Sequence, residues 1–493
     1  MGNRQKAKTF MLLDIRPVLM VIGTLLSVLG IAMFIPALLD LALGDKQWRV
    51  FAASGGVTVF VGGGLWMATR KGRVEFTRRQ AFVMTVLSWT SLAAFGALPL
   101  LWSGAAPTYT DAFFESMSGI TTTGSTVLSG LDQMQAGVLL WRGIMQWLGG
   151  LGVIVMAIAV LPMLQVGGMQ LFQAEAFSTA EKILPRATQI SAGLTGLYIV
   201  FTAVCALLYH LAGMTALDAI IHGMTTVATG GLSSHDNSIG HYDSARIEII
   251  AIVFMIIGSL PFILYIQALR GQILRLTRDS EIRAFLAILA FFTIIASFYA
   301  IESGTFEGLD AVRHAAFNVV SVVSGTGYSS TDYQAWGPFS LAFFFFIMFI
   351  GGCQGSTACG LKVFRLQVTF QVLKQHINRI VFPNGVFVKK YAGMPLGDDV
   401  SAAVMSFFFL YVVSFLVLGI LLQMTGLDLV TALSGAGTAI ANVGPGVGHI
   451  IGPAGNFQPL SDVAKWLLSF GMLLGRLELL TMLVLFLPRF WME

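Results

Sequence analysis

Apolar runs long enough to cross a bilayer alternate along this chain with short amphipathic stretches that end in glycine turns. A membrane-spanning helix needs about 20 consecutive, mainly apolar residues, and such runs lie near 17–39, 50–69, 82–102, 137–162, 190–212, 246–267, 283–301, 338–361, 400–424 and 463–488. The pattern predicts ten spans. Between them lie four Asp-led stretches too short to cross: Asp111 to Gly124, Asp218 to Gly230, Asp310 to Gly327 and Asp428 to Gly444. Each reads as a short helix rising into a turn, its aspartate placed to cap the first helical turn.

After two leading spans, the chain parses four times as span, short helix, Gly turn, span. The period of roughly one hundred residues is far longer than that of a solenoid repeat. It divides the chain into a two-helix extension at 1–79 and four units at 80–189, 190–282, 283–399 and 400–493. Both ends of each unit return to one side, so the units are parallel and related by an axis along the membrane normal. The expected fold is an all-α polytopic membrane protein, with four helix, pore-helix, helix repeats around one pseudo-fourfold pore plus two N-terminal transmembrane helices.

Composition agrees with this reading. Of 493 residues 56% are hydrophobic and 11% charged, and the mean hydropathy is +0.79, far from a soluble globular balance. The first apolar run has no small-residue cleavage signal and reads as a retained helix. Charge sets the orientation. Placing both termini in the cytoplasm puts most of the 29 Lys and Arg residues there, on segments 1–16, 70–79, 163–190, 268–283 and 362–399, as the positive-inside rule requires. The opposite face then receives Lys46, Arg49, Arg142, Arg246, Arg313 and Lys465, together with all four Gly turns. Cys205, Cys353 and Cys359 fall in apolar segments and imply no disulfide framework.

The turns carry the candidate chemistry. Non-helical backbone at membrane depth must be enclosed by protein or line a wet cavity, and four turns facing one another meet that demand by offering carbonyls to a cation. The candidate filter and K+-binding residues are Thr122, Thr123 and Gly124; Ala228, Thr229 and Gly230; Gly325, Thr326 and Gly327; and Asn442, Val443 and Gly444. Carbonyl and hydroxyl oxygens without a carboxylate ring point to a monovalent ion. The negative ends of the short helices add to the attraction. Glu115, His222, His314 and Asn318 on those helices read as polar supports behind the turns.

Two further features lie inside the membrane. The outgoing span of the third unit is interrupted by Gly351, Gly352, Cys353, Gln354, Gly355, Ser356 and Thr357, and the cost of glycines and polar groups in a continuous apolar helix predicts a break there. That segment is the candidate gate loop, with a tight packing face as the alternative. Arg476 stands within the last span, where a charge costs at least about 2.5 kcal/mol. A pore-facing barrier and a purely structural pairing both solvate it. Glu478 is two residues away and falls on another helix face.

Other classes find little support. The chain has neither a His-Glu-x-x-His metal motif nor a nucleophile triad, so it does not read as an enzyme. It contains no Walker sequence, so no nucleotide is expected to bind this chain. A net charge of +4 gives no nucleic-acid footprint. The basic segments 268–283 and 362–399 can contact membrane lipids or dock a cytosolic regulator.

The motifs TTTGS at Thr121–Ser125, ATGG at Ala228–Gly231, GTGYS at Gly325–Ser329 and NVGPG at Asn442–Gly446 resemble the Trk/Ktr/HKT superfamily of potassium transporters, and most closely its TrkH-type membrane subunits. GGCQGSTACGLK at Gly351–Lys362 and Arg476 extend the resemblance over nearly the whole chain. It implies a homodimer in the bacterial inner membrane, one ion path per subunit, and a cytosolic TrkA-like nucleotide-binding ring as regulator. It also implies that the broken span is an intramembrane gate loop and Arg476 a pore arginine. A glycine in all four turns matches the potassium-selective pattern rather than the serine-substituted form of plant relatives. Ala358 and Cys359 depart from the small glycine-like residues common at those places. The expected activity is downhill K+ uptake through a gated pore, with K+ symport coupled to H+ or Na+ as the alternative.

Overall fold

The computed structural model describes residues 14–70, 77–159 and 187–492. The N-terminal residues 1–13, the end of the span expected at 137–162 and most of the basic segment 163–190 lie outside the described residues. A leading hairpin holds α1 (Arg16–Ala32), α2 (Phe34–Ala42) and α3 (Trp48–Thr69). The first unit contains α4 (Arg78–Trp102), α5 (Tyr109–Ile120) and α6 (Ala136–Ala159), and the second α7 (Ala187–Leu211), α8 (Ala216–Val227), α9 (Ala245–Ser259), α10 (Phe262–Leu269) and α11 (Ile273–Arg278). The third has α12 (Ser280–Glu302), α13 (Gly308–Val323), α14 (Pro338–Ile347) and α15 (Val363–Val381), followed by a two-residue β-pair. The fourth has α16 (Asp398–Gln423), α17 (Leu429–Ala441), α18 (Asp462–Arg476), α19 (Leu480–Leu483) and α20 (Pro488–Met492).

Among the described residues, 7 helices are long and apolar enough to cross a membrane, and two bent pairs bring the number to 9. The bends are the main departure from the ten spans expected, of which only 338–361 was read as broken. The run 246–267 turns by 94° between α9 and α10, and 463–488 turns by 110° after Arg476. Pro261 explains the first, because it cannot continue the helical ladder. At the second, Glu478 and Leu479 have left-handed φ values of 61° and 34°. The run 338–361 breaks after Ile347, at the place its glycines predict.

Three of the four short helices carry a side-chain cap, and in only one of them is it the expected aspartate. Thr108 and Thr215 cap α5 and α8, accepting at 3.2 Å from the backbone N–H of Asp111 and Asp218, whose carboxylates in turn accept from the Thr hydroxyls. Asp310 lies inside α13 behind Glu307, which makes no side-chain cap. Asp428 alone of the four is the capping residue, accepting from Thr431 N at 3.0 Å. A threonine three residues before an aspartate accepts from that aspartate's N–H, an orphan donor of the first turn, and so takes the capping place and moves the aspartate to the third helical position.

The units close on one another. Outgoing helix α6 packs on α8, α9 packs on α13, and α18 returns to α5. Between the third and fourth units the contact is made by Met348 and Phe349 against Gly437 of α17. The buried apolar side chains form two large clusters, one built mainly from the leading hairpin with the first and fourth units, the other from the second and third. Asp40 ties the hairpin to the first unit by accepting from Gly137 N at 2.8 Å, which satisfies an orphan donor at the start of α6.

Candidate functional site

All four short helices end in the same way. Within two residues of each C-terminus the chain takes a left-handed conformation: Thr122 (φ 52°), Thr229 (50°), Gly325 (72°) and Asn442 (52°). The next N–H bonds back five residues, Thr123 to Ser118 O at 2.8 Å, Gly230 to Thr225 O at 2.9 Å, Thr326 to Ser321 O at 2.9 Å and Val443 to Thr438 O at 3.1 Å. This is a Schellman closure. Glycine or asparagine is usual at the left-handed place, and the two threonines there carry strain of about 1–3 kcal/mol each.

One residue later, each turn has a glycine of positive φ: Gly124 (88°), Gly231 (77°), Gly327 (80°) and Gly444 (112°). A side chain on any of them would meet a carbonyl of another turn. Gly124 faces Gly230 O, Gly231 faces Thr326 O, Gly327 faces Val443 O, and Gly444 faces Thr123 O at 2.8 Å. The four carbonyls come from the same place in each turn, and the order first, second, third, fourth, first closes without a gap. A single polypeptide has thus built a ring of fourfold pattern.

The ring corrects one register. In the second unit the positive-φ glycine is Gly231, not Gly230, and Gly230 supplies the carbonyl. Ala228 is the C-cap of α8 at φ −71°, so the expected triplet Ala228, Thr229, Gly230 sits one residue too early. Two adjacent glycines in ATGG made the first look like the partner of Gly124. The other three triplets fall at matching positions.

Side chains hold the turns from behind. Glu115 accepts from Thr126 Oγ1 at 3.0 Å, Val127 N at 3.0 Å and Arg142 Nε at 2.7 Å; Arg142 also donates to Ser233 O at 2.7 Å in the next turn. His222 meets Ser233 Oγ at 2.9 Å, and His314 and Asn318 both meet Ser330 Oγ. All four expected supports therefore bind the chain that follows the turns. Sequence reasoning missed Gln146, which donates to Gly230 O at 2.5 Å and accepts from Leu232 N at 3.0 Å. On the mouth side, Lys465 and Arg313 pair with Asp111 and Asp310. With Arg142, half of the basic residues assigned to the sparse face are neutralised this way.

The broken chain of the third unit lies against the other end of the ring. Thr357 Oγ1 is 3.2 Å from Thr229 Oγ1, and Cys359 Sγ is 3.8 Å from Thr122 Oγ1. The loop is closed at its base, where Gly351 N bonds to Leu361 O and Leu361 N to Phe349 O, each at 2.9 Å. It also mends the break in the second unit: Cys353 N bonds to Ser259 O at 2.9 Å, Thr357 N to Gly258 O at 3.1 Å, and Phe262 N to Gly355 O at 3.1 Å. Two interrupted helices satisfy each other's backbone groups, as membrane depth demands. Glu281 accepts from Gln354 N at 2.7 Å and Phe364 N at 3.2 Å, pinning both ends.

Arg476 closes this end. It stands where α18 stops, not midway along a straight span, and a helix C-terminus carries partial negative charge suited to a guanidinium. Its Nη1 donates to Thr357 O at 3.3 Å and contacts Cys359 Sγ. Among the described residues Nε and Nη2 are buried without hydrogen-bond partners, beside a cavity of about 40 Å³ lined by Gln354, Ser356 and Glu478, room for a few waters. Among the described residues no carboxylate pairs with it. Glu478 turns to Arg365 instead, and Arg365 stacks over Phe407 at 3.7 Å. Cys359, outside the expected loop residues, is thus part of the contact.

These features match known transport proteins. A family model described as a cation transport protein, TrkH, matches residues 47–492. The chain is 44% identical to the Trk system potassium uptake protein TrkI of Halomonas elongata, covering 97% of each. It is 38% identical to the Trk system potassium uptake protein TrkH of Escherichia coli K12, over 97% of this chain and 99% of the relative. The crystal structure of the potassium transporter TrkH from Vibrio parahaemolyticus superposes with a TM-score of 0.89 at 35% identity, over 97% of this chain and 100% of that one. With its multiple apolar helices, the chain is a multi-pass membrane protein and a transporter rather than an enzyme. It belongs to the TrkH family of cation transport proteins.

Proposed function

We propose that this chain is the ion-conducting subunit of a potassium-uptake system, passing K+ through the ring formed by its own four Gly turns. The observation that carries the reading is the closed order of Gly124, Gly231, Gly327 and Gly444 against the carbonyls of Gly230, Thr326, Val443 and Thr123. Backbone oxygens gathered in this way replace the hydration shell of a monovalent cation. The relatives named for potassium uptake support K+ as the ion.

The loop 351–360 acts as the gate and Arg476 as its latch and electrostatic barrier. A guanidinium beneath the ring opposes cation passage by on the order of 1–4 kcal/mol at about 4 Å, and releasing the loop removes both obstacles. An inside-negative potential drives uptake, at about 2.3 kcal/mol per charge per 100 mV. The subunit works as a homodimer in the bacterial inner membrane, with both termini cytoplasmic and annular lipids around its apolar helices. A TrkA-like nucleotide-binding ring docks on the cytoplasmic side. Supporting this docking, a cavity of about 680 Å³ there is lined by Arg275, Arg278, Arg283 and Lys390.

The test is the reversal potential of reconstituted protein. Dependence on the K+ gradient alone is expected. A shift with the proton or sodium gradient at fixed K+ would replace the channel reading with symport.

A further inference from the structure

Beside the mouth, a cluster that the transport path does not use joins the loops of the first and second units. Asp132 lies in the turn Leu131–Gln133, His235 just beyond the second ring turn, and His241 in the turn Ser238–Tyr242. Asp132 Oδ1 is 2.5 Å from His235 Nδ1 and 3.7 Å from His241 Nδ1, and the three atoms lie within 4.8 Å of one another. The two imidazoles are stacked, with centroids 3.6 Å apart and planes at 4°. Both rings turn a nitrogen towards the same carboxylate oxygen.

We propose that Asp132, His235 and His241 form a zinc site at the mouth. Two imidazole nitrogens and one carboxylate oxygen are a zinc donor set with a fourth position open to water; calcium and magnesium prefer oxygen ligands throughout. Tetrahedral bonds of about 2.0–2.1 Å put neighbouring donors about 3.3 Å apart. The parallel rings do not aim both lone pairs at one point, so binding requires His241 to swing out of the stack; Asp132 and His241 are each 44% exposed, which leaves them free to move and lets an ion reach them from water.

His235 has the support that metal-bound histidines require. Its Nε2 is buried with no hydrogen-bond partner among the described residues and lies 3.6 Å from Asp218 Oδ2. Asp218 is itself fixed by the hydroxyls of Thr215 and Ser234, each at 2.6 Å. A carboxylate behind the distal ring nitrogen fixes tautomer and orientation.

The site bears on transport, a step that rests on the function proposed above. His235 lines the same cavity of about 540 Å³ as Gly124, Gly231, Gly327 and Gly444. A divalent ion there repels monovalent cations approaching the ring and clamps the loops of two units together. External zinc therefore slows uptake.

The test uses full-length protein without a polyhistidine tag, titrated with zinc chloride by calorimetry and assayed for rubidium-tracer uptake after reconstitution. One zinc per chain is expected. His241→Ala should weaken binding at least about tenfold, Asp218→Asn by roughly 10- to 100-fold, and basal uptake by His241→Ala should match the parent while losing its zinc sensitivity. Equal zinc affinity in the parent and His241→Ala would overturn the site. Zinc bound through these residues without slowing uptake would overturn the regulatory step. A chain that binds zinc yet carries no rubidium without it would count against the transport function and leave the site standing.

Discussion

Arg476 Nη1 donates to the carbonyl of Thr357 at 3.3 Å, linking the end of the last long helix to the interrupted chain of the third unit directly under the ring. The bond joins a buried charge to the segment proposed as the gate. Replacing Arg476 with Gln removes the charge and keeps a donor; replacing it with Ala removes both. Each should raise cation flux of the isolated subunit by about tenfold or more, equivalent to about 1.4 kcal/mol, with Ala at least as active as Gln. Tracer efflux from proteoliposomes, normalised to folded protein, checks this. Unchanged flux with lower protein yield would assign Arg476 to bundle stability alone.

The ring glycines should differ in tolerance. A β-carbon on Gly124, Gly231 or Gly327 lands on a neighbouring carbonyl, whereas on Gly444 it would stand 2.8 Å from Thr123 O. Serine should therefore impair K+ flux least at Gly444. Within the second unit, Gly231→Ala should be more damaging than Gly230→Ala, because the latter meets the end of the flexible Gln146 side chain instead of backbone. Flux assays on the two variants separate the registers, and a more damaging Gly230→Ala would restore the earlier one.

Glu281 accepts two backbone N–H groups at the base of the loop. Glu281→Ala leaves both buried and unpaired, at about 1–3 kcal/mol each, and should lower the melting temperature and raise partner-independent leak. Glu281→Gln keeps an acceptor oxygen and should lose less on both measures. Fluorescence-detected thermal unfolding and tracer leak provide the comparison.

Arg365 and Glu478 form a pair in which the arginine is 1% exposed and the glutamate 12%. Removing one partner leaves an uncompensated charge, a loss of about 3–5 kcal/mol for a fully buried pair. Arg365→Met and Glu478→Met should each destabilise the protein more than the double replacement. Thermal unfolding of all four proteins would show the coupling, and additive losses would contradict it.

Much of this architecture could be read directly from the chain. Four Asp-led stretches located the short helices, and glycines with Gln354 and Ser356 located the broken span, because both features violate the rules of a continuous apolar helix. The bend at Pro261 carried a signal that the hydropathy of its surroundings masked. The bend after Arg476 carried none, since Leu477 and Leu479 read as ordinary helix. Nor could spacing choose between Gly230 and Gly231: the choice depends on where α8 ends, and that is set by packing. The pairing of Glu115 with Arg142 joins positions on two helices and needed the fold to bring them together.

The most direct test of the central claim is the bi-ionic reversal potential of reconstituted protein, with K+ on one side of the membrane and Na+ on the other. The parent chain should reverse close to the K+ limit, and serine at Gly231 should move the potential towards Na+. A parent potential near zero, or one that Gly231→Ser leaves in place, would contradict a K+ filter built from the four Gly turns.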